Sequence, residues 1–361
     1  MNYNNAVLEL DREYTMIKLN KRYGVVITLV FLLIVSLPLY AGDKARIGTA
    51  AGVQVQQPVS ARDLAMGGAN IVYTSGVDAL YWNPAGLSEM PSGFMGTFTR
   101  NTIFNDINVN YIGLGVDMGS AGVIGFDIKA FDFGEVPLTT IQDMDGSSGA
   151  TFSPTWSTMG LTYANKLTNS IHVGVKAKMI YESIPRVSGT AFAFDLGIQY
   201  KNIGGLEGFS FGVLLKNIGA NMRYEGSGLT QKVTTQDGIV KYYNVEASSD
   251  QLPAFLQIGL AYKTTVAEKN DIIITGLFQN NNVEYDAMKF GAEYSWNNML
   301  ALRAGYVYTM DVIEGFDPLY TFTLGAGVNF DLGGVILGLD YAFRDSKWFD
   351  SNNMFTLKLG F

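Results

Sequence analysis

The sequence predicts an all-β protein, a 14-stranded antiparallel transmembrane β-barrel with an N-terminal hatch segment in its lumen. Three observations predict it. Fourteen segments of period-2 alternation follow one another from residue 93 onward, each about 10 to 12 residues long. That is the length of a tilted membrane strand, whereas strands of soluble proteins average roughly 5 or 6 residues. One face of these segments is apolar with aromatic ends, and the other is rich in Gly and charge, the pattern of a lipid band around a polar lumen. The chain closes on "MFTLKLGF", where Phe355, Leu357, Leu359 and Phe361 alternate up to the last residue, as in a barrel-closing strand that ends in an aromatic.

Composition agrees. Of 361 residues, 16% are charged and 13% aromatic, with 41 Gly and 20 Tyr. There is no Cys and a single His, His172, so neither a disulfide framework nor a multi-His metal site is available. No cofactor or metal is expected. The net charge of −8 without a basic cluster argues against nucleic acid.

Residues 1–41 read as a signal peptide. Lys18, Lys21 and Arg22 precede the apolar run "GVVITLVFLLIVSLPLYAG" (24–42), which ends in Ser36, Pro38 and Ala41. Its uninterrupted core is shorter than the roughly 20 residues of a spanning helix. The exported chain is therefore expected in the outer membrane of a bacterial cell, in contact with its lipid.

Residues 42–92 read as the hatch. About eight strands make a barrel that its own side chains can fill; fourteen leave a wider lumen. "SARDLAMGGANIVYTSGVDALYWNPAGLSEM" (60–90) has two capping-box-like starts, Ser60-x-x-Asp63 and Ser75-x-x-Asp78. They predict short helical turns at 61–66 and 76–81, stopped by Gly67-Gly68 and by Asn83-Pro84. Leu80, Tyr81 and Trp82 would anchor the hatch to the inner wall. Gly67, Gly68 and Gly86 would allow close backbone approach. Leu80, Tyr81, Trp82 and Phe94 are the candidate contacts for a hydrophobic small molecule.

Residues 93–361 read as the barrel, with strands at 93–103, 107–117, 121–131, 156–166, 170–181, 190–201, 207–217, 252–263, 271–280, 286–296, 299–309, 319–330, 334–344 and 352–361. Segments 107–117 and 271–280 alternate poorly. In 319–330 the apolar, lipid-facing set is Tyr320, Phe322, Leu324, Ala326, Val328 and Phe330. Long and short connections alternate: 132–155 and 218–251 are long, the 5–6 connection is intermediate, and "LTNS", "NN" and "LGG" are short. Short turns belong on the periplasmic side, which predicts that both termini are periplasmic. The expected lumen charges are Asp127, Lys129, Lys176, Lys178, Asp195, Lys216, Lys289, Glu293, Arg303, Asp340, Arg344 and Lys358, with Glu293–Arg303 and Asp340–Lys358 placed to pair. His172 also falls on the lumen face, as a wall residue.

The 60–90 stretch resembles the N-terminal signature of the PorV/PorQ family of outer-membrane proteins. In that signature Ala-Arg-x-x-x-Met-Gly-Gly-Ala leads to Ala-x-x-x-Asn-Pro-Ala-Gly-Leu. The matching positions are Ala61, Arg62, Met66, Gly67, Gly68 and Ala69, then Ala79, Asn83, Pro84, Ala85, Gly86 and Leu87. The segments at 189–201, 300–309 and 322–343 look like later strands of that family, so the resemblance spans nearly the whole mature chain. It implies a relation to FadL-type barrels, which have 14 strands and a hatch containing Asn-Pro-Ala. The implied function is a non-enzymatic PorV-type barrel in type IX-like protein secretion or surface attachment. It would bind a cargo or partner protein at loops 132–155 and 218–251. The alternative is FadL-type passage of fatty acids or other hydrophobic molecules. A lipid hydrolase would have only His172 as its usual base, and an open diffusion porin does not fit a hatch.

Overall fold

A computed structural model describes residues 44–361, except 105, 106, 268, 314 and 316. The signal-peptide reading of 1–41 lies outside the described residues. Fourteen antiparallel strands form the barrel: β1 (Phe94–Thr102), β2 (Asn108–Asp117), β3 (Val123–Asp132), β4 (Thr155–Lys166), β5 (Ile171–Ile184), β6 (Val187–Tyr200), β7 (Phe209–Gly219), β8 (Phe255–Ala267), β9 (Asn270–Asn281), β10 (Ala287–Trp296), β11 (Leu300–Thr309), β12 (Phe322–Asp331), β13 (Ile336–Arg344) and β14 (Asn352–Gly360). Each pairs with its neighbour in sequence, and β1 closes on β14 with Phe98 opposite Leu357. Closure satisfies every strand edge, which hydrocarbon requires.

The strand faces sort as the alternation predicts. Phe192, Phe194, Leu196 and Ile198 on β6 and Met288, Phe290, Tyr294 and Trp296 on β10 point outward. Phe192 is 60% exposed and Leu302 65%; a water-soluble surface would not carry a whole belt of such residues. Aromatic residues gather at the two rims. Phe94 stacks on Phe361 and Phe209 packs at a tilt against Tyr262 at one end; at the other, Phe131, Phe133 and Trp156 cluster on the lumen side beside Val59. Phe355, Leu357, Leu359 and Phe361 all face outward. The chain is a bacterial outer-membrane β-barrel.

β5 and β6 depart from the expected lengths. Each has 14 residues, joined by a two-residue turn rather than an intermediate loop. Pro185 and Arg186 make that turn, with Arg186 at φ 71°. The pairing pattern continues above the membrane, where Met222–Glu225 adds to β6. The two long loops contain small ladders of their own, Val136–Pro137 with Thr151–Phe152 and Thr230–Thr234 with Val240–Asn244.

The lumen is filled by residues 51–90. Two α-helical turns lie in it, α1 (Ala61–Ala65) and α2 (Ala79–Trp82), with a 3-10 turn before α2 and another after it, Pro84–Glu89. The predicted turns are present, the second shifted to end at Trp82. Their expected caps are not. Ser60 has φ 71° and makes no cap bond; its hydroxyl donates instead to Asp78 at 2.7 Å, tying the start of α1 to the start of α2. Ser75 makes no side-chain cap bond either. Gly67 and Gly68 end α1 with φ of 68° and 69°, a left-handed pair that a side chain would strain.

One expectation is overturned. Phe361 lies at the short-turn end, but the first described residues lie at the long-loop end. Ala51 donates its N–H to Gln251 O at 3.0 Å, Gln54 bonds to Ser157 O at 2.9 Å, and Arg46 bonds to Gln251. The hatch therefore runs the length of the lumen and leaves at Gly93 beside Phe361. A turn-rich segment has no periodicity from which its direction could be read.

Candidate functional site

The hatch is irregular backbone buried away from water, so its carbonyls need donors. Wall side chains supply them. Lys176 donates to Leu80 O at 2.8 Å and Lys216 to Tyr81 O at 2.6 Å, which satisfies the last turn of α2. Lys201 reaches Val72 O, Lys129 reaches Gln57 O, and Gln199 bonds both Ile71 O and Thr74 O. Several of the expected lumen charges thus hold the hatch.

Wall glycines make room for it. A Cβ on Gly305 would lie 2.0 Å from Gly67 N, and one on Gly291 2.5 Å from Met66 O. Gly174 faces Pro84, and Gly197 would place a Cβ 1.9 Å from Asn83 Oδ1. Gly113 and Gly125 face Leu80. Within the hatch, a Cβ on Gly86 would meet Thr74 O at 2.1 Å.

The Asn-Pro stop is a hydrogen-bonded junction. Asn83 is fully buried; its Nδ2 donates to Ile71 O at 2.8 Å, and its Oδ1 accepts from Ala85 N at 3.2 Å. Pro84 begins the following 3-10 turn, where its missing N–H costs nothing. Asn83→Asp removes the donor and sets a carboxylate against the Ile71 carbonyl. It is expected to loosen hatch seating by about 3 kcal/mol, read as faster hydrogen–deuterium exchange of residues 70–88 with the barrel strands unchanged.

A continuous ion network locks α1 and α2 to the far wall. Arg62 grips Glu293 through two bonds of 2.9 and 3.0 Å. Glu293 also pairs with Arg303, Arg303 with Asp340 at 2.6 Å, and Asp340 with Lys358 at 2.8 Å. Lys358 returns to the hatch at Asp78, 2.7 Å away. Both pairs expected from sequence, Glu293–Arg303 and Asp340–Lys358, are present. Asp63 is held within the hatch, where it accepts from Asn70 and Thr74, both at 2.7 Å.

His172 fastens the exit of the hatch to β5. Its Nδ1 lies 2.8 Å from Ser88 Oγ and its Nε2 3.3 Å from Glu89. The three residue types are those of a hydrolase, but the Ser88 hydroxyl donates to Ala85 O at 2.8 Å and Ser88 is 5% exposed. Buried between Ala85 O and the imidazole, the hydroxyl ties the hatch exit to β5.

Two sizeable lumen cavities are found among the described residues, one on each side of α1. The outer one, about 470 Å³, opens toward the long loops and is lined by Tyr81, Trp82, Gly67, Gly68, Phe104, Phe255, Lys216, Lys289, Tyr320 and Arg344, among others. The inner one, about 500 Å³, is bounded by Arg62, Asp78, Glu293, Arg303 and Lys358. Of the four candidate contacts, Tyr81 and Trp82 line the outer cavity. Leu80 does not: it packs with Val77, Leu87 and Met95 over the glycines of β2 and β3. Phe94 does not either, because it sits at the short-turn end against Phe361. Met66, Ala85 and Gly86 are fully buried structural positions.

Tyr320 was expected on the lipid face. It precedes β12, which begins at Phe322, and its ring lies 3.6 Å from the Arg344 guanidinium inside the barrel. Arg344 was visible as a lumen charge, but its partnership with a loop residue carries no sequence signal.

No protein-family model matches the chain, and no curated protein matches it in sequence. Solved structures do. The Pseudomonas putida toluene transporter TodX aligns with a TM-score of 0.53 at 14% identity, over 84% of this chain and 97% of that one. The Ralstonia pickettii toluene transporter TbuX gives 0.51 at 14%, over 84% and 97%. The CymD monoaromatic hydrocarbon channel gives 0.52 at 12%, over 84% and 96%. At such identities the likeness is one of fold.

Proposed function

We propose that this barrel is a FadL-type transporter that passes hydrophobic or amphipathic small molecules across the outer membrane without enzymatic chemistry. The observation that carries the reading is the outer cavity, lined by Tyr81 and Trp82 and separated from the inner one by α1. A ligand enters from the loop side, rests against the aromatic residues, and leaves when the hatch shifts. The shared fold with toluene and monoaromatic-hydrocarbon channels supports this reading over a secretion role. The test is saturable binding of toluene by the detergent-purified protein, together with uptake of labelled toluene by cells that express it. Trp82→Ala is expected to lower both at least fivefold while the protein keeps the heat-dependent gel shift of a folded barrel. Uptake equal to that of cells without the protein, with no saturable binding, would sink the reading.

A second reading has one observation behind it. Ile141, Met144, Tyr242 and Tyr243 are exposed apolar residues on the two long loops, which favours a PorV-type role in binding a secreted protein there. Replacing 230–244 by a short Gly-Ser turn would then abolish retention of a surface protein on the barrel; unchanged retention would exclude it.

A further inference from the structure

The outer cavity holds more polar chemistry than a neutral hydrocarbon needs. Arg344 is 8% exposed, and its Nε and Nη2 donate to no acceptor. A buried guanidinium is ordinarily paired, because leaving it unpaired is costly. Its flat face is occupied by Tyr320, so its N–H edge is what remains to be used. Trp82 Nε1, in a residue 6% exposed, also has no acceptor. Two acceptors in the same cavity, Gln57 Oε1 and Gln257 Oε1, have no donor. Four residues that carry orphaned groups of complementary kinds thus line one space.

We propose that the outer cavity is a binding site for a compact aromatic carboxylate that bears a hydroxyl group. Arg344 takes the carboxylate, Tyr320, Tyr81 and Trp82 flank the ring, and Gln57 or Gln257 accepts from the hydroxyl. A long acyl chain is the poorer occupant. Gln257 donates to Gln279 at 2.6 Å and Gln279 to Asn281 at 2.7 Å, so one wall is a ladder of amides. Lys216 and Lys289 stand near it. Methylene groups laid along that wall would bury polar groups against hydrocarbon. The inference rests on the outer cavity being the ligand station of the proposed transporter.

The test is calorimetric titration of the purified full-length protein with 4-hydroxybenzoate, 4-hydroxybenzyl alcohol and decanoate. The acid is expected to bind at least tenfold more tightly than either of the others. Arg344→Gln is expected to weaken the acid about tenfold to a hundredfold, the range for a lost hydrogen bond to a charged group, and to weaken the alcohol far less. Tyr320→Leu, which keeps the guanidinium but removes its ring, is expected to weaken the acid severalfold, and it serves should R344Q fail to fold. Acid binding that neither variant alters, or decanoate binding more tightly than the acid, overturns the proposal. Arg344-dependent acid binding without uptake by cells keeps this site and removes the transport reading. Toluene uptake without acid binding does the reverse.

Discussion

Gly305→Val is expected to drive the hatch from its seat and leave the barrel closed. The added Cβ would lie 2.0 Å from Gly67 N and 2.3 Å from Met66 C, distances that no real pair of atoms tolerates. Both neighbours are backbone, so no side chain can rotate away. The hatch turn at 65–68 must lift, because β11 is held by ladders to β10 and β12 on either side. Overpacking of this kind costs typically 1–3 kcal/mol, and lifting the turn also forfeits the bonds of Gly67 N and Ala65 O to Thr323. Valine suits a strand, so barrel assembly is spared. The measurement is single-channel conductance with trypsin sensitivity at Arg62, both expected to rise. Gly276→Val is the control: its Cβ is in ordinary contact with the Phe290 ring at 3.5 Å and Lys289 O at 3.9 Å. A sealed, trypsin-resistant Gly305→Val protein would show that the glycine niche does not seat the hatch.

Glu293→Gln is expected to destabilise the protein by about 3–5 kcal/mol, the cost of breaking a buried ion pair from one side. Glu293 answers two guanidiniums, Arg62 from the hatch and Arg303 from the wall, and is 4% exposed. Without it Arg303 retains Asp340, but Arg62 is left without its partner. Adding Arg62→Met to the variant is expected to recover much of the loss, since replacing a buried pair with apolar residues is often neutral. Guanidinium unfolding in detergent, followed by tryptophan fluorescence, measures both. Strictly additive losses in the double variant would mean that the pair is not what holds α1.

All fourteen strands were legible because the lipid face must be apolar at every second residue. β2 and β9 alternated poorly for a reason the structure supplies. Their lumen faces also carry apolar residues, Val109 and Tyr111 on β2 and Ile273 and Leu277 on β9. Leu277 packs with Ile71 of the hatch, and Val109 and Tyr111 pack with Val59. Two apolar faces erase the period. In the site, Tyr81 and Trp82 were legible as anchors beside the Asn-Pro stop. Leu80 was grouped with them, yet on a helical turn its side chain leaves at about 100° from that of Tyr81, toward a different wall. Tyr320 falls outside β12 because the strand starts at Phe322, three residues later than the alternation suggests. Arg344 could be read as inward-facing but not as unpaired, since pairing is a property of neighbours distant in sequence.

The course of the hatch, in at the loop mouth and out at the turn mouth, constrains how this molecule can be made. A plug that enters and leaves by one mouth could be pressed into a finished cylinder like a cork. A strand of chain running from one opening to the other is more like the thread inside a bead, and a bead cannot be closed first and threaded later without pulling a free end through. Sealing the seam where β1 meets β14 after residues 51–90 lie inside the curling sheet is the route that draws no free end through the lumen. The hatch is then a former around which the wall is wrapped, and the wall glycines record its outline.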